Sequence, residues 1–134
     1  MNLFVYGTLL VPEILDTVTG RGDWKSEPAE LPGHAIFRVR NRDFPGIVKS
    51  DHARTPAVGS LIFDVDEQSL ARLDAYEDDF YTRESVLVLP EAGSPVRAEI
   101  YLVPESLARH YLSDEVWTLE WFMKNRFETY WSQR

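Results

Sequence analysis

The uncharged apolar run Leu3-Phe4-Val5 passes directly into Tyr6-Gly7-Thr8-Leu9-Leu10, with Pro12 close behind. A run of this kind, with no alternation of polar residues, reads as a strand covered on both faces. The chain must therefore place layers on either side of it. Proline suits the first position of a helix, so the strand hands over to a helix through the Gly7-Thr8 turn. Glycine lets the backbone take unusual angles and lets another group come close. Amide groups clustered in such a turn can receive an anion or an oxyanion. Read alone, the turn is first of all a plain strand-to-helix connection.

Beyond this point the chain alternates between strand and helix patterns. Pro12 to Val18 reads as a short helix ended by Gly20 and Gly22, with Ile14, Leu15 and Val18 on its buried edge. Trp24 to Leu31 is polar and interrupted by Pro28, a poor edge strand at best. After the Pro32-Gly33 turn, His34 to Arg40 alternates, with Ala35, Phe37 and Val39 on one face. Ile47-Val48 is a short strand. Ala57 to Val65 is another, in which Gly59 marks a bulge or a close approach. Asp66 is a good cap for a helix from Glu67 to about Tyr76, with Leu70 and Leu73 as its stripe. Tyr81 to Leu89 and Val96 to Val103 read as the last strands.

Pro104 opens a helix through Leu107, Ala108 and Tyr111, and Ser113 or Asp114 caps a final helix to about Trp131. Leu119, Phe122, Met123, Phe127 and Tyr130 form an aromatic stripe on that last helix. The stripe either packs on the sheet or offers a surface to a partner, including a second copy of the chain. About six strands, hairpin-linked in the middle, with a few helices, predict an α+β fold whose mixed sheet curls into a small barrel. With 134 residues, the expectation is a single domain with a substantial core.

Composition removes whole classes of function. A net charge of -8 argues against nucleic acid and anionic membrane surfaces as partners. Arg38, Arg40 and Arg42 are the one dense basic run, and they read as the exposed face of a strand and its end. There is no cysteine, hence no disulfide, thiol nucleophile or cysteine metal site. No stretch approaches the roughly 18 apolar residues of a membrane span, and no signal-peptide pattern is visible. The expected location is the cytoplasm. His34, His52 and His110 lack ligand spacing, so no metal is expected, and His34 reads as a satisfied structural histidine. No phosphate-binding glycine loop and no nucleophile elbow is present.

The acidic cluster Asp74, Glu77, Asp78, Asp79 ends the central helix. Most such clusters are solvated. Glu77 differs in phase: it falls on the face of Leu70 and Leu73 if the helix continues. Held among Tyr76, Phe80 and Tyr81, its carboxyl would have its pKa raised by desolvation, as a general acid/base near neutral pH requires.

Taken together, these residues resemble the γ-glutamylcyclotransferase-like family, also called AIG2-like. The resemblance rests on Tyr6-Gly7-Thr8-Leu9, on the strand Gly59-Ser60-Leu61-Ile62-Phe63-Asp64-Val65, and on Leu73-Asp74-Ala75-Tyr76-Glu77 followed by Tyr81-Thr82-Arg83. The Leu31-Pro32-Gly33 turn and Phe44-Pro45-Gly46-Ile47-Val48 also match. The match spans about residues 3 to 103, with a helical extension from about 104 to 134. Asp78 stands where many members have glycine, and Trp117 to Arg134 has no counterpart.

The resemblance implies a barrel-like α+β fold with a ligand cavity, and cofactor-independent cyclisation of a γ-glutamyl amine, amino acid or peptide to 5-oxoproline. It implies Glu77 as the acid/base. It also implies Tyr6, Gly7, Thr8, Leu9 and Tyr81 as substrate-binding residues, the amides of Gly7, Thr8 and Leu9 holding the substrate. A non-catalytic small-molecule binder or interaction protein on the same fold is the alternative.

Overall fold

A computed structural model describes residues 1–132. The first strand, β1 (Leu3–Val5), lies between β5 (Ala57–Ile62), antiparallel, and β7 (Val96–Leu102), parallel. Together with β2 (Ser26–Leu31) and β6 (Thr82–Pro90) these close into a five-stranded barrel in the order β1-β5-β2-β6-β7. A second sheet, of β3 (His34–Val39), β4 (Pro45–Lys49) and β8 (Leu112–Val116), runs in the order β4-β3-β8.

The two-sided burial expected of β1 is present, and it explains the absence of alternation. Phe4 and Tyr6 point into the barrel core with Leu61, Val88 and Ile100. Leu3 and Val5 point outward, beneath α1 (Pro12–Thr19) and α2 (Glu67–Glu77), where Ile14, Leu70 and Leu73 cover them. Each fully buried side chain of this size contributes about 1.5–3 kcal/mol through area removed from water. Gly59 is the close approach that its place in a strand implied: a Cβ there would stand 2.2 Å from the Val5 carbonyl oxygen and 2.8 Å from the Phe4 ring.

The structure corrects the reading of two segments. Ser26–Leu31 is an interior strand of the barrel, paired with β5 along its length. Pro28 is tolerated because its carbonyl faces the end of β6, where it accepts from the Glu91 amide at 2.9 Å. The N–H it lacks would point the same way, at the ladder's end rather than into the β5 pairing.

The second correction concerns the C-terminal region. Ser113 and Asp114 do not cap a helix. They lie in β8, which follows α3 (Glu105–Tyr111) and pairs with β3. The Ser113 hydroxyl donates to the Arg38 carbonyl at 2.7 Å, so the group read as a cap bonds across the sheet. The cap is Thr118, whose hydroxyl accepts from the Trp121 amide at 3.1 Å. The helix then breaks at Arg126 into α4 (Leu119–Asn125) and α5 (Phe127–Ser132). The break turns Phe122, Phe127 and Tyr130 onto one cluster, with Phe122 5.4 Å from the Tyr130 ring, and leaves Met123 exposed. Phe122 and Trp117 are buried in the chain's own core.

Candidate active site

The open end of the barrel beside β1 is a cavity of about 690 Å³. Three elements bring its groups together. The end of β1 leads into Tyr6 and a 3-10 turn, Thr8–Leu10. The first bonds of that turn run from Leu10 N–H to the Gly7 carbonyl at 2.9 Å and from Val11 N–H to Thr8 at 3.1 Å. The amides of Gly7, Thr8 and Leu9 come before these bonds, so the turn itself does not use them. Gly7 is needed here, because a Cβ would meet the Pro45 ring at 2.7 Å. Thr8 Oγ1 lies 2.8 Å from the Tyr76 hydroxyl, which in turn hydrogen-bonds the Tyr130 hydroxyl.

The second element is the end of α2. Asp66 starts this helix by accepting from the Ser69 amide at 3.0 Å and the Ser69 hydroxyl at 2.7 Å. Its stripe of Leu70 and Leu73 sets the phase that carries Glu77 to the cavity. The helix stops there. Asp78 takes φ 62° and ψ -169° as its C-cap, a region that glycine alone occupies readily.

The third element is the aromatic stretch that leads into β6. Tyr81 donates to the Pro45 carbonyl at 2.6 Å, tying this wall to the start of β4. The Phe80 ring packs edge-on against Tyr81 at 5.1 Å and Tyr111 at 5.8 Å.

Glu77 is the chemically distinctive group of this cavity. Burial alone pushes its carboxyl up to about 8. Among the described residues no cation pairs with it and no side chain donates to it. The nearby hydroxyls are engaged elsewhere, as with Tyr6, which donates to the Tyr101 carbonyl at 2.6 Å. Desolvation, with the Glu77 charge second, holds the Tyr6 phenol well above its ordinary pKa, so Tyr6 stays neutral. Tyr81 is raised in the same way, by burial first.

Asp74 behaves differently. It accepts from Arg83 at 2.9 Å and from the Tyr101 hydroxyl at 2.7 Å, and Arg83 also reaches Glu99 at 2.7 Å.

Tyr6, Gly7, Thr8, Leu9, Glu77 and Tyr81 therefore all line one cavity. Sequence reasoning missed others that line it. Arg40 and Arg42 are exposed just past the end of β3, as the sequence implies, and they also stand on the cavity wall with Asn41 and His110. Tyr130 reaches the cavity from α5. The available signal was the dense arginine run in a polar loop just before the Phe44-Pro45-Gly46 segment. His34 departs from its expectation as well: Nδ1 is bonded to the Pro32 carbonyl at 2.9 Å, but the buried Nε2 has no partner among the described residues. Among the described residues no group of three or more His, Asp or Glu is placed to hold a metal ion. Nor is any helix among them long and apolar enough to cross a membrane.

The family model for gamma-glutamyl cyclotransferase, AIG2-like, matches residues 3–119. The chain belongs to this family. It is 32% identical over 93 residues to AIG2-like protein A of Arabidopsis thaliana, covering 69% of this chain and 54% of that protein. It thus spans about half the length of the Arabidopsis relatives it matches. A protein of Methanocaldococcus jannaschii, provisionally named as a gamma-glutamylcyclotransferase, is 27% identical over 114 residues, covering 78% of this chain and 85% of the relative. An Arabidopsis thaliana protein solved in solution superposes with a TM-score of 0.73 at 25% identity, covering 98% of this chain and 86% of that one. The α+β barrel is therefore the fold of the gamma-glutamyl cyclotransferase, AIG2-like family.

Proposed function

We propose that the protein is a γ-glutamylcyclotransferase. It closes γ-glutamyl amines, amino acids or peptides to 5-oxoproline and releases the amine, and Glu77 moves the protons. One observation carries this reading: a half-buried carboxyl with no cation beside it among the described residues, pushed up to about 8, shares a cavity with the Tyr6–Leu9 turn. A carboxyl that titrates near neutral pH can both take and return a proton.

The reaction suits such a group. The substrate's α-ammonium gives one proton to the Glu77 carboxylate and becomes a nucleophile. Its nitrogen attacks the γ-carbonyl carbon, forming the ring C–N bond and a tetrahedral oxyanion. The bond to the leaving nitrogen then breaks. The proton held by Glu77 and a second one lost by the ring nitrogen end on the leaving amine, so no co-reactant is consumed. Closure within one molecule lets a cavity that selects the folded conformer draw on an orientation effect whose upper range is about 7–11 kcal/mol. The unused amides of Gly7, Thr8 and Leu9 hold the substrate's carboxylate or the oxyanion. Tyr6 and Tyr81, kept neutral by burial, wall the site against water.

The test is mass spectrometry for 5-oxoproline after incubation with a panel of γ-glutamyl compounds, with Glu77→Gln run beside the unmodified protein. Product from the unmodified protein and none from the folded variant is the expected result. A ligand-dependent rise in Tm without product would make the protein a binder on this fold instead.

A further inference from the structure

The lining of the cavity divides by depth. Tyr6, Thr8, Leu9 and Tyr101 are buried and form its floor, whereas Arg40, Arg42 and His110 are exposed and stand at its mouth. The charges around that mouth are unevenly paired. Arg38, two residues before Arg40, reaches Glu115 at 3.4 Å and lies over the Trp121 ring at 4.5 Å. Asp43 is taken by Arg126 at 3.1 Å. Arg40 uses its Nε on the Leu112 carbonyl at 3.2 Å, and among the described residues the Arg42 side chain has no hydrogen-bond partner. Among the described residues neither Arg40 nor Arg42 has a carboxylate in ion-pair range.

This is unusual for a chain with 22 acidic and 14 basic residues. Asp78 is the one exposed acidic residue on the lining. The loop that carries the two arginines is also well held. Asn41 takes a left-handed turn at φ 59°, Arg42 N–H bonds the Val39 carbonyl at 3.1 Å, and Trp117 donates to the Asp43 carbonyl at 2.8 Å.

We propose that Arg40 and Arg42 form a carboxylate subsite at the cavity mouth that receives the leaving group. The preferred substrates are then γ-glutamyl amino acids or peptides with a carboxylate beside the scissile amide, rather than γ-glutamyl amines. This rests on the cyclisation reading. If the γ-carbonyl lies at Glu77 and the glutamyl half fills the floor, the leaving nitrogen points outward, toward the arginines. A guanidinium presents a planar fork that matches a carboxylate. A cationic amine tail would instead meet two like charges. In an acidic protein, a local positive mouth also steers an anionic substrate inward.

γ-Glutamyl-alanine and γ-glutamyl-ethylamide differ only in the leaving group's carboxylate, so they isolate the claim. The unmodified protein is expected to favour the alanine conjugate by about tenfold in kcat/KM, as one charge-assisted contact supplies. The preference should shrink in about 0.5 M KCl, where an exposed pair is screened. Arg40→Ala/Arg42→Ala is expected to bring the ratio near one. Arg42→Glu, at an exposed position whose side chain holds nothing, should reverse it without a change in Tm. A ratio unmoved by these substitutions overturns the proposal. Equal losses on both conjugates overturn it too, because the arginines then serve the glutamyl carboxylate common to both. If the unmodified protein turns over neither conjugate, the cyclisation reading fails and takes the subsite with it.

Discussion

Asp74 and Glu77 sit one turn apart on α2, and the fold treats their carboxyls in opposite ways. Asp74 receives Arg83 and the Tyr101 hydroxyl, and through Arg83 it joins Glu99. Among the described residues Glu77 receives no cation, and its aromatic neighbours direct their hydroxyls to backbone carbonyls, to Thr8 or to one another. The paired carboxylate keeps the helix end docked on β6 and β7. The unpaired one is left to answer pH and, on the proposed reading, to meet a substrate. A compensated charge is a structural device, whereas a desolvated carboxyl left without compensation costs stability and marks a candidate for chemistry.

The sharpest way to break this comparison is to neutralise each carboxyl in turn. Glu77→Gln is expected to lower kcat by about 10²–10⁴, the range that general acid–base catalysis supplies, with the fold intact. Asp74→Asn should lower it far less. Single-turnover assays with a γ-glutamyl substrate and a circular dichroism spectrum of each variant check both outcomes. Comparable losses in the two variants would mean that Asp74 is not merely structural.

The same pair differs in its response to pH. The Glu77 carboxyl titrates at about 8 in the folded protein against an ordinary 4.5. Below pH 4.5 it is protonated in both states and has no effect on stability. Between those values the unfolded chain releases its proton first, so stability falls as pH rises, and the loss is complete above about pH 8. At about 1.4 kcal/mol per unit of difference, the loss amounts to a few kcal/mol. Urea midpoints for the unmodified protein and Glu77→Gln should therefore diverge between pH 5 and pH 9, the variant being relatively more stable at the alkaline end. On the activity side, kcat/KM should climb with pH to about 8, because Glu77 must be ionised in the free enzyme to accept a proton.

The two carboxyls also show what was legible in the sequence. Glu77 could be placed because helix phase is local: seven residues on from Leu70, it shares that face. Asp66 as a cap and Gly59 as a close approach were equally local. Ser26–Leu31 was not legible, because the cost of Pro28 depends on which side of the strand its missing N–H would face. Ser113 and Thr118 are both good caps by composition, and only the pairing of β8 with β3 decides between them. Arg40 and Arg42 were hidden for the same reason, since their neighbours come from β1, α2 and α3, all distant in sequence. Asp74 read as one more solvated acid because its partners Arg83 and Tyr101 lie on two other strands.

A smaller effect measures what the paired carboxyl contributes to stability. Asp74→Ala removes the acceptor of both Arg83 and Tyr101, although Arg83 keeps Glu99 and Asp74 is partly exposed. Solvent screening reduces the worth of such a pair, so a loss of about 1–2 kcal/mol in urea unfolding is expected. In a double-variant cycle, the lysine of Arg83→Lys should couple to Asp74 less than half as strongly as Arg83 does, because an ammonium cannot bridge two carboxylates as the guanidinium fork does.

The smallest effect lies directly after Glu77. Asp78 ends α2 at φ 62° and ψ -169°, where a side chain costs about 1–3 kcal/mol and glycine costs little. Its carboxylate recovers part of that by accepting from the Asp79 amide at 2.8 Å. Asp78→Gly removes both the strain and this bond, and it adds freedom to the unfolded chain. These terms leave a gain of about 0.5–1 kcal/mol, read as a small rise in Tm. Asp78→Ala, which keeps the strain and loses the bond, should be destabilising. If glycine and alanine moved the Tm in the same direction, the backbone at the end of α2 would not be strained. Glu77 would then owe its place to the Leu70 and Leu73 face of the helix alone.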